Sequence, residues 1–535
     1  MLQFKLHTRH IFSFITSLLF CIFIVPINQS IAFTAPSARR NMVVAHGLTL
    51  LFGIFFYCLA LFAVHFVQKL REHDPLYLNW LKFTGIYFAI MLVVFLLIYP
   101  GHWVGDEFTV LNAVKHYNLY AWQNYFTNIF YTFCLFIVPT GVSIIVFQFT
   151  FASFAIGYVL MQLQRLLHNK RLAYLALIPF LLFPVVIYNF YPLRVMMYSY
   201  IELLLICKLL FDYYYKLRMG ESTYFEIIKI TTLVMLLCFW RPEGIYYIAT
   251  LPFLFVHHRI FTTRTRRTLA PYLLLGFCIV TLGSGWAITK ATSNPAYELT
   301  AYINPLSTMI QKPLKGQDVS SRLAQVDKVI NIQVLKKYPS YVEIPAFWYG
   351  GLRPDYAPHV ANFKKQYLYL VLHNPGAFLQ NRTRTFLLAN SFYNTPSPSL
   401  GSLDGDQYNK DPVTIQFMAD NLGSKPLNPK LKLEISKILL SLKSLGVPNA
   451  SAHFFWNSII PMTLLLILGI AKLVKRQYLW AVLAGLVLLR VPLMFLTEPA
   501  DYSFYYQSVY MIGYFLVAFA AIEYIDRRDL KRSAH

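Results

Sequence analysis

Residues 83–107 read FTGIYFAIMLVVFLLIYPGHWVGDE. The first eighteen carry no charged side chain, and a Pro-Gly break then leads to an acidic pair, Asp106 and Glu107. A run of this length and apolarity predicts a membrane-crossing helix, because a hydrocarbon core about 30 Å thick takes about 20 helical residues. Carboxylates a few residues beyond such a helix stay hydrated yet remain within reach of a lipid-borne headgroup. The pair is therefore the leading candidate for chemistry where lipid and water meet, although the same dipeptide also opens ordinary polar loops.

Similar runs recur on both sides of this one, at 11–33, 43–67, 141–163, 173–191, 194–215, 227–240, 244–257, 269–289, 456–471, 477–496 and 504–522. They are continuous rather than alternating, which predicts helices and not a barrel. With 57% hydrophobic and 13% charged residues and a mean hydropathy of +0.49, the 535-residue chain reads as an all-α polytopic membrane protein of about twelve transmembrane helices. The formal charge of +23 does not mark a nucleic-acid binder, since the basic residues fall in short loops between spans and not on one patch. With the amino terminus inside, every second loop collects them: Lys69, Arg71 and Lys82, then Arg165, Lys170 and Arg171, and finally the tail with Arg527, Arg528, Lys531 and Arg532. The positive-inside rule then puts both termini in the cytoplasm. None of the six cysteines is in a CxxC spacing, so no disulfide framework or zinc site is indicated. The basic start and small residues at 32–38 allow a signal peptide, but an uncleaved first helix is the expected reading.

Four regions follow: two helices at 1–82; a seven-helix block at 83–289 whose first external loop is 101–140; a large external segment at 290–455; and three helices with a basic tail at 456–535. Spans 227–240 and 244–257 are short and meet at Arg241-Pro242-Glu243-Gly244, a broken-helix turn on the same outer side as Asp106. Between 290 and 455 hydropathy collapses, and a mixed segment is expected with helices at 320–337 and 360–372. Residues 378–388 form an amphipathic stretch with Arg382 and Arg384 that suits a membrane surface. Asn381-Arg-Thr and Asn449-Ala-Ser match glycan acceptor tripeptides.

Asp106, as a carboxylate, could act as general base toward a hydroxyl or hold a divalent cation with Glu107. His102 and Trp103 precede the pair in the same loop. Arg194 and Arg241 lie at outer helix ends, where a guanidinium suits phosphate by paired hydrogen bonds, or simply anchors its helix at the interface. Arg490 and Glu202 lie inside spans, where ionisable groups face a cavity or a partner. Glu243 accompanies Arg241, and Glu498, Asp501 and Tyr502 form a further acidic, aromatic cluster that could equally be a solvated turn. His46 and His65 are lone histidines on apolar helices, expected to be packed or hydrogen-bonded.

The seven spans from 83 to 289, with Trp103-Val-Gly-Asp106-Glu107 opening the first external loop and a large external segment after the seventh, resemble the GT-C superfamily of integral membrane glycosyltransferases. That superfamily includes protein O-mannosyltransferases and aminoarabinose transferases. The resemblance implies a GT-C-like fold in which Asp106 is the catalytic base and Glu107 its neighbour. It also matches Arg241 to the basic residues that hold the donor phosphate; Arg194, His102, Trp103, Glu243, Arg490, Asp501 and Tyr502 are substrate-binding candidates from their own placement. The implied partners are a polyprenyl-phosphate sugar donor, a glycan, lipid or protein acceptor and membrane lipids, with no nucleic acid. No cofactor is certain, and a divalent metal is compatible with the carboxylates. The implied location is the plasma membrane, with 101–140 and 290–455 extracytoplasmic. Two extra leading helices and the lack of a proline-rich acceptor motif after the first loop depart from the family pattern. A polysaccharide polymerase or ligase using external arginines, Arg382 and Arg384, with a histidine, and a transporter or lipid-linked oligosaccharide flippase, are the alternative readings.

Overall fold

The computed structural model describes residues 2–35, 39–103, 105–118, 125–215, 224–248, 299–338, 350–390, 425–440 and 452–533, with Gly283 and Ala296. All regular elements among them are helical, with a single antiparallel bridge, Ile330 to Leu352. Six helices are long and apolar enough to cross a membrane: Thr8–Ala32, Arg39–Arg71, Pro75–Leu97, Val142–Leu166, Tyr478–Thr497 and Ser503–Arg532. The chain is thus a helical, membrane-embedded protein. The first two pair with each other and leave large apolar side chains such as Phe14, Leu50 and Ile54 exposed. Hydrocarbon surroundings tolerate such faces, because lipid tails are as apolar as the side chains.

The site-bearing bundle begins with α1 (Pro75–Leu97), started by Asp74, whose carboxylate accepts the Leu76 N–H at 2.9 Å, and by Pro75 in the first turn. It packs along α2 (Val142–Leu166). Gly157 permits the approach: a Cβ there would stand 2.2 Å from Thr84 Oγ1 and 2.8 Å from its backbone nitrogen. Between them lies a helix that the span list did not contain, α3 (Tyr125–Ile137), apolar but of 13 residues. The 173–191 run is not one α-helix. Lys170–Leu181 is a 3-10 helix holding Pro179, and α4 (Phe183–Tyr188) follows with Pro184 in its first turn. The prolines remove donors from the i−4 ladder. Next, α5 (Arg194–Tyr214) is buried along nearly its whole length by α2, α6 (Tyr224–Trp240) and the last helix, α7 (Gln507–Ser533). At 21 residues it measures roughly 31 Å. Spans expected at 244–257 and 269–289 lie almost wholly outside the described residues.

The described part of 290–455 is helical, so the mixed structure expected there is not what these residues adopt. Its own core gathers Leu299, Ile303, Leu306, Val326, Ile330, Leu335, Phe363 and Leu370. The helix expected at 320–337 is two helices, α8 (Val319–Asp327) and α9 (Ile332–Lys337). The break comes from Asn331, whose side chain accepts the Gln333 and Val334 N–H groups, from Asp327 Oδ1, which accepts the Ile332 N–H, and from the Ile330 to Leu352 bridge. The expectation for 360–372 holds as α10 (Val360–His373), ended at Asn374.

Two readings of α11 (Pro375–Ala389) are corrected. Asn381 is fully buried, donating to Thr308 Oγ1 at 2.8 Å and Asn304 O at 3.2 Å, so it is closed to a glycan-transferring enzyme in the folded protein. Nor does the helix lay its basic face on a membrane: Arg382 is buried and donates to the Glu498 carbonyl at 2.6 Å and to Asn381 Oδ1 at 2.9 Å, while Leu379 is exposed. This face docks α11 onto the turn after Tyr478–Thr497. There Glu498 and Asp501 are buried rather than solvated, and Tyr506 donates to Glu498 Oε2 at 2.7 Å. Burial pushes the Glu498 carboxyl up to about 8. Asn449 lies outside the described residues. His46 and His65 are hydrogen-bonded, to the Met42 carbonyl and the Tyr77 hydroxyl.

Candidate functional site

The loop after α1 turns at Gly101, whose φ of +88° and close neighbours, Ile145 Cδ1 and the Phe190 carbonyl, exclude a side chain. His102 donates its backbone N–H to Phe190 O at 2.8 Å and stacks on Tyr191 at 4.8 Å. Trp103 is buried and stacks on Phe108. The 101–140 loop enters helix α12 (Gly105–Lys115), with Asp106 and Glu107 in its first turn. Negative side chains are favoured there by the helix dipole, by roughly 0.3–1 kcal/mol. Asp106 is exposed and Glu107 is buried. Both carboxylates are close enough to act electrostatically on Tyr131 of α3, whose hydroxyl donates to the Pro192 carbonyl at 2.7 Å, two residues before Arg194. On the same helix Phe130 packs on Trp240, one residue before Arg241. The acidic pair, the start of α5 and the end of α6 therefore occupy one end of the bundle.

At that end α6 stops where Arg241 N–H meets the Leu237 carbonyl, and the chain turns through Pro242–Ile245. Arg241 is buried and grips Glu243 with two hydrogen bonds, Nε to Oε2 at 3.2 Å and a terminal nitrogen to Oε1 at 2.7 Å. Its other terminal nitrogen is buried without a hydrogen-bond partner. The turn is pinned to α5 by Tyr247, which donates to Glu202 Oε1 at 2.6 Å. Arg490 is buried as well: its Nε donates to the Tyr505 carbonyl at 2.8 Å and its plane lies 4.8 Å from the Tyr198 ring centre. Both of its terminal nitrogens lack a partner. The charges of Arg490 and Arg194 both act on the Arg241 and Glu243 pair. Arg241, Arg490 and Glu202 are buried in this cluster, and Arg194 and Glu243 are partly buried at its edge. Asp501 and Tyr502 lie just before the Ser503–Tyr506 turn that supplies the Tyr505 carbonyl. Tyr198, Tyr246 and Tyr247 were not foreseen. In a chain with 38 tyrosines, only their spacing from Glu202 and Arg241 could have singled them out.

A short helix within 290–455, α13 (Pro429–Leu439), seats on the first loop. Lys432 Nζ donates to the Gly101 carbonyl at 2.8 Å. Ser436 gives its hydroxyl proton to the Lys432 carbonyl at 2.6 Å, so across the 3.2 Å contact His102 Nε2 must be the donor to Ser436 Oγ. The imidazole is held neutral: burial, with the charge of Lys432, keeps it well below its usual 6.5, and burial lowers the Lys432 amine to about 7. Undocking α13 therefore takes up protons. Docking should weaken as pH falls from 10.5, the ordinary amine value, to about 7, and weaken again below 6.5 as exposed His102 gains a proton. Amide exchange of residues 429–439, corrected for intrinsic rates, should show protection falling over the first window in the native chain and flat there in Lys432→Met. Equal pH dependence in both proteins would mean that Lys432 stays charged when docked.

Among the described residues no group of three or more His, Cys, Asp or Glu side chains is arranged to hold a metal ion. No protein-family model, no curated protein and no solved structure matches the chain.

Proposed function

We propose that the chain is a multi-pass plasma-membrane glycosyltransferase that moves a sugar from a polyprenyl-phosphate carrier to an extracytoplasmic glycan, lipid or protein. The observation that carries this reading is the set of buried guanidinium nitrogens on Arg241 and Arg490 that have no hydrogen-bond partner. A buried charged donor without an acceptor is costly, so its retention points to an anionic ligand, and planar guanidinium forks match phosphate oxygens. They stand at the end of the bundle that also carries an exposed carboxylate, Asp106. The loop charges favour the outer face for that end.

In this reading the acceptor hydroxyl loses its proton to Asp106 as its oxygen bonds to the anomeric carbon. The bond from that carbon to the phosphate oxygen breaks, and the electron pair leaves with the carrier phosphate. Arg490 and Arg241, with Arg194 at the rim, stabilise that growing negative charge. Glu107 backs the base from the protein interior. Purified protein in liposomes containing labelled polyprenyl-phosphate hexose should release free polyprenyl phosphate and hand the label to an added acceptor. Movement of intact donor across the bilayer without transfer would instead identify a flippase. Extension of an existing glycan that tolerates Asp106→Asn and fails in Arg384→Ala would identify a polymerase or ligase.

A further inference from the structure

Glu202 lies eight residues into α5, roughly 12 Å below Arg194 along the helix. Its Oε1 accepts from the Tyr247 hydroxyl at 2.6 Å and, more weakly, from Tyr246 at 3.4 Å. Its Oε2 is buried and has no hydrogen-bond partner; the Ser508 hydroxyl is its neighbour but does not reach hydrogen-bond geometry, and is itself unpartnered. Arg490, with two unpartnered nitrogens, is close enough for each charge to act on the other, yet no ion pair joins them. A structural pair would close, because an acceptor without a donor and a donor without an acceptor are both expensive in a buried place. What satisfies both at once is a ligand that offers an anion to Arg490 and an O–H to Glu202. A phosphate-linked sugar has that character.

We propose that Glu202, with Ser508 beside it, is the group that reads a hydroxyl of the sugar whose phosphate Arg490 and Arg241 hold. The assignment rests on the donor reading above and adds the sugar-recognising residue to it. It makes Glu202 a specificity residue, since a carboxylate built to accept from a sugar hydroxyl penalises a donor lacking that hydroxyl.

The test measures binding of two probes to the purified full chain in lipid nanodiscs: undecaprenyl phosphate alone and undecaprenyl-phosphate glucose. Glu202→Gln should weaken the glucose-bearing probe about 10- to 100-fold, the range of one hydrogen bond to a charged group, and leave the bare phosphate within twofold. Arg490→Met should weaken both. Equal loss of both probes in Glu202→Gln, or loss of neither, would overturn the role of Glu202 while leaving the donor reading in place. Failure of the native protein to bind either probe would instead remove the donor reading. If Glu202→Gln does not fold, a series of deoxyglucose-bearing probes on the native protein serves in its place. One deoxy position should cost about tenfold or more, and uniform binding across the series would overturn the assignment.

Discussion

Asp106→Asn is expected to lower sugar transfer by about 10²- to 10⁴-fold, the usual worth of general-base assistance, while the protein folds and accumulates as before. The physical case for a clean effect is local. Asp106 is exposed in the first turn of α12, so Asn keeps the size and hydrogen-bonding capacity that suit a helix start. What it removes is the ability to take a proton. The loss should fall on kcat with little change in KM, because the base acts on the acceptor proton as the new bond forms. Glu107→Gln makes the contrast. That side chain is buried, and the change puts an NH2 donor where the interior holds an acceptor oxygen, so its cost should appear first as a lower melting temperature. Transfer by Asp106→Asn at near the native rate, in single-turnover assays with labelled donor, would strip the acidic pair of its role.

What could be read in advance follows the physics of each signal. Apolar runs and loop charges report the bilayer, an environment that acts on every residue; the helices at 39–71, 142–166 and 194–214 stand where those runs predicted, while the one expected at 83–100 starts earlier, at Pro75, and takes Lys82 into the helix. Ionisable residues inside such runs are equally visible, so Arg490 and Glu202 stood out before any fold was known. Less legible was structure set by neighbours. The first loop's α3 is apolar but too short to register as a span, and its role shows only in its neighbours: Tyr131 reaches Pro192 beside the start of α5, and Phe130 packs on Trp240 at the end of α6. Lys432 is one of three lysines in the stretch PKLKLEISK; nothing in that stretch shows that this one, and not Lys430, is buried against Gly101. Arg382 misled for the same reason. An arginine on an amphipathic helix looks like a headgroup ligand until a carbonyl from 116 residues away, that of Glu498, is found to accept from it.

Arg490→Met should lower transfer about 10²- to 10³-fold, the scale seen when one preorganised donor to a developing oxyanion is removed. Arg490→Lys should restore little of it, because an ammonium cannot reproduce the planar fork or the stacking on Tyr198. Stability supplies the check on whether this arginine serves a ligand or the fold. Arg241 donates twice to Glu243, so Arg241→Met strands a mostly buried carboxylate, a change worth about 3–5 kcal/mol when a buried pair is broken on one side. Arg490 makes no direct ion pair: its removal forfeits one hydrogen bond to the Tyr505 carbonyl, a ring contact and the longer-range attraction for Glu202 and Glu243, while relieving the desolvation of two nitrogens without a partner. The expected order of thermal midpoints is therefore native, then Arg490→Met, with Arg241→Met, which breaks a direct pair, lowest. If Arg490→Met were the variant that unfolds and Arg241→Met the one that stays stable, Arg490 would be a strut between the last two spans, and the anion site would have to be sought around Arg241 and Arg194 alone.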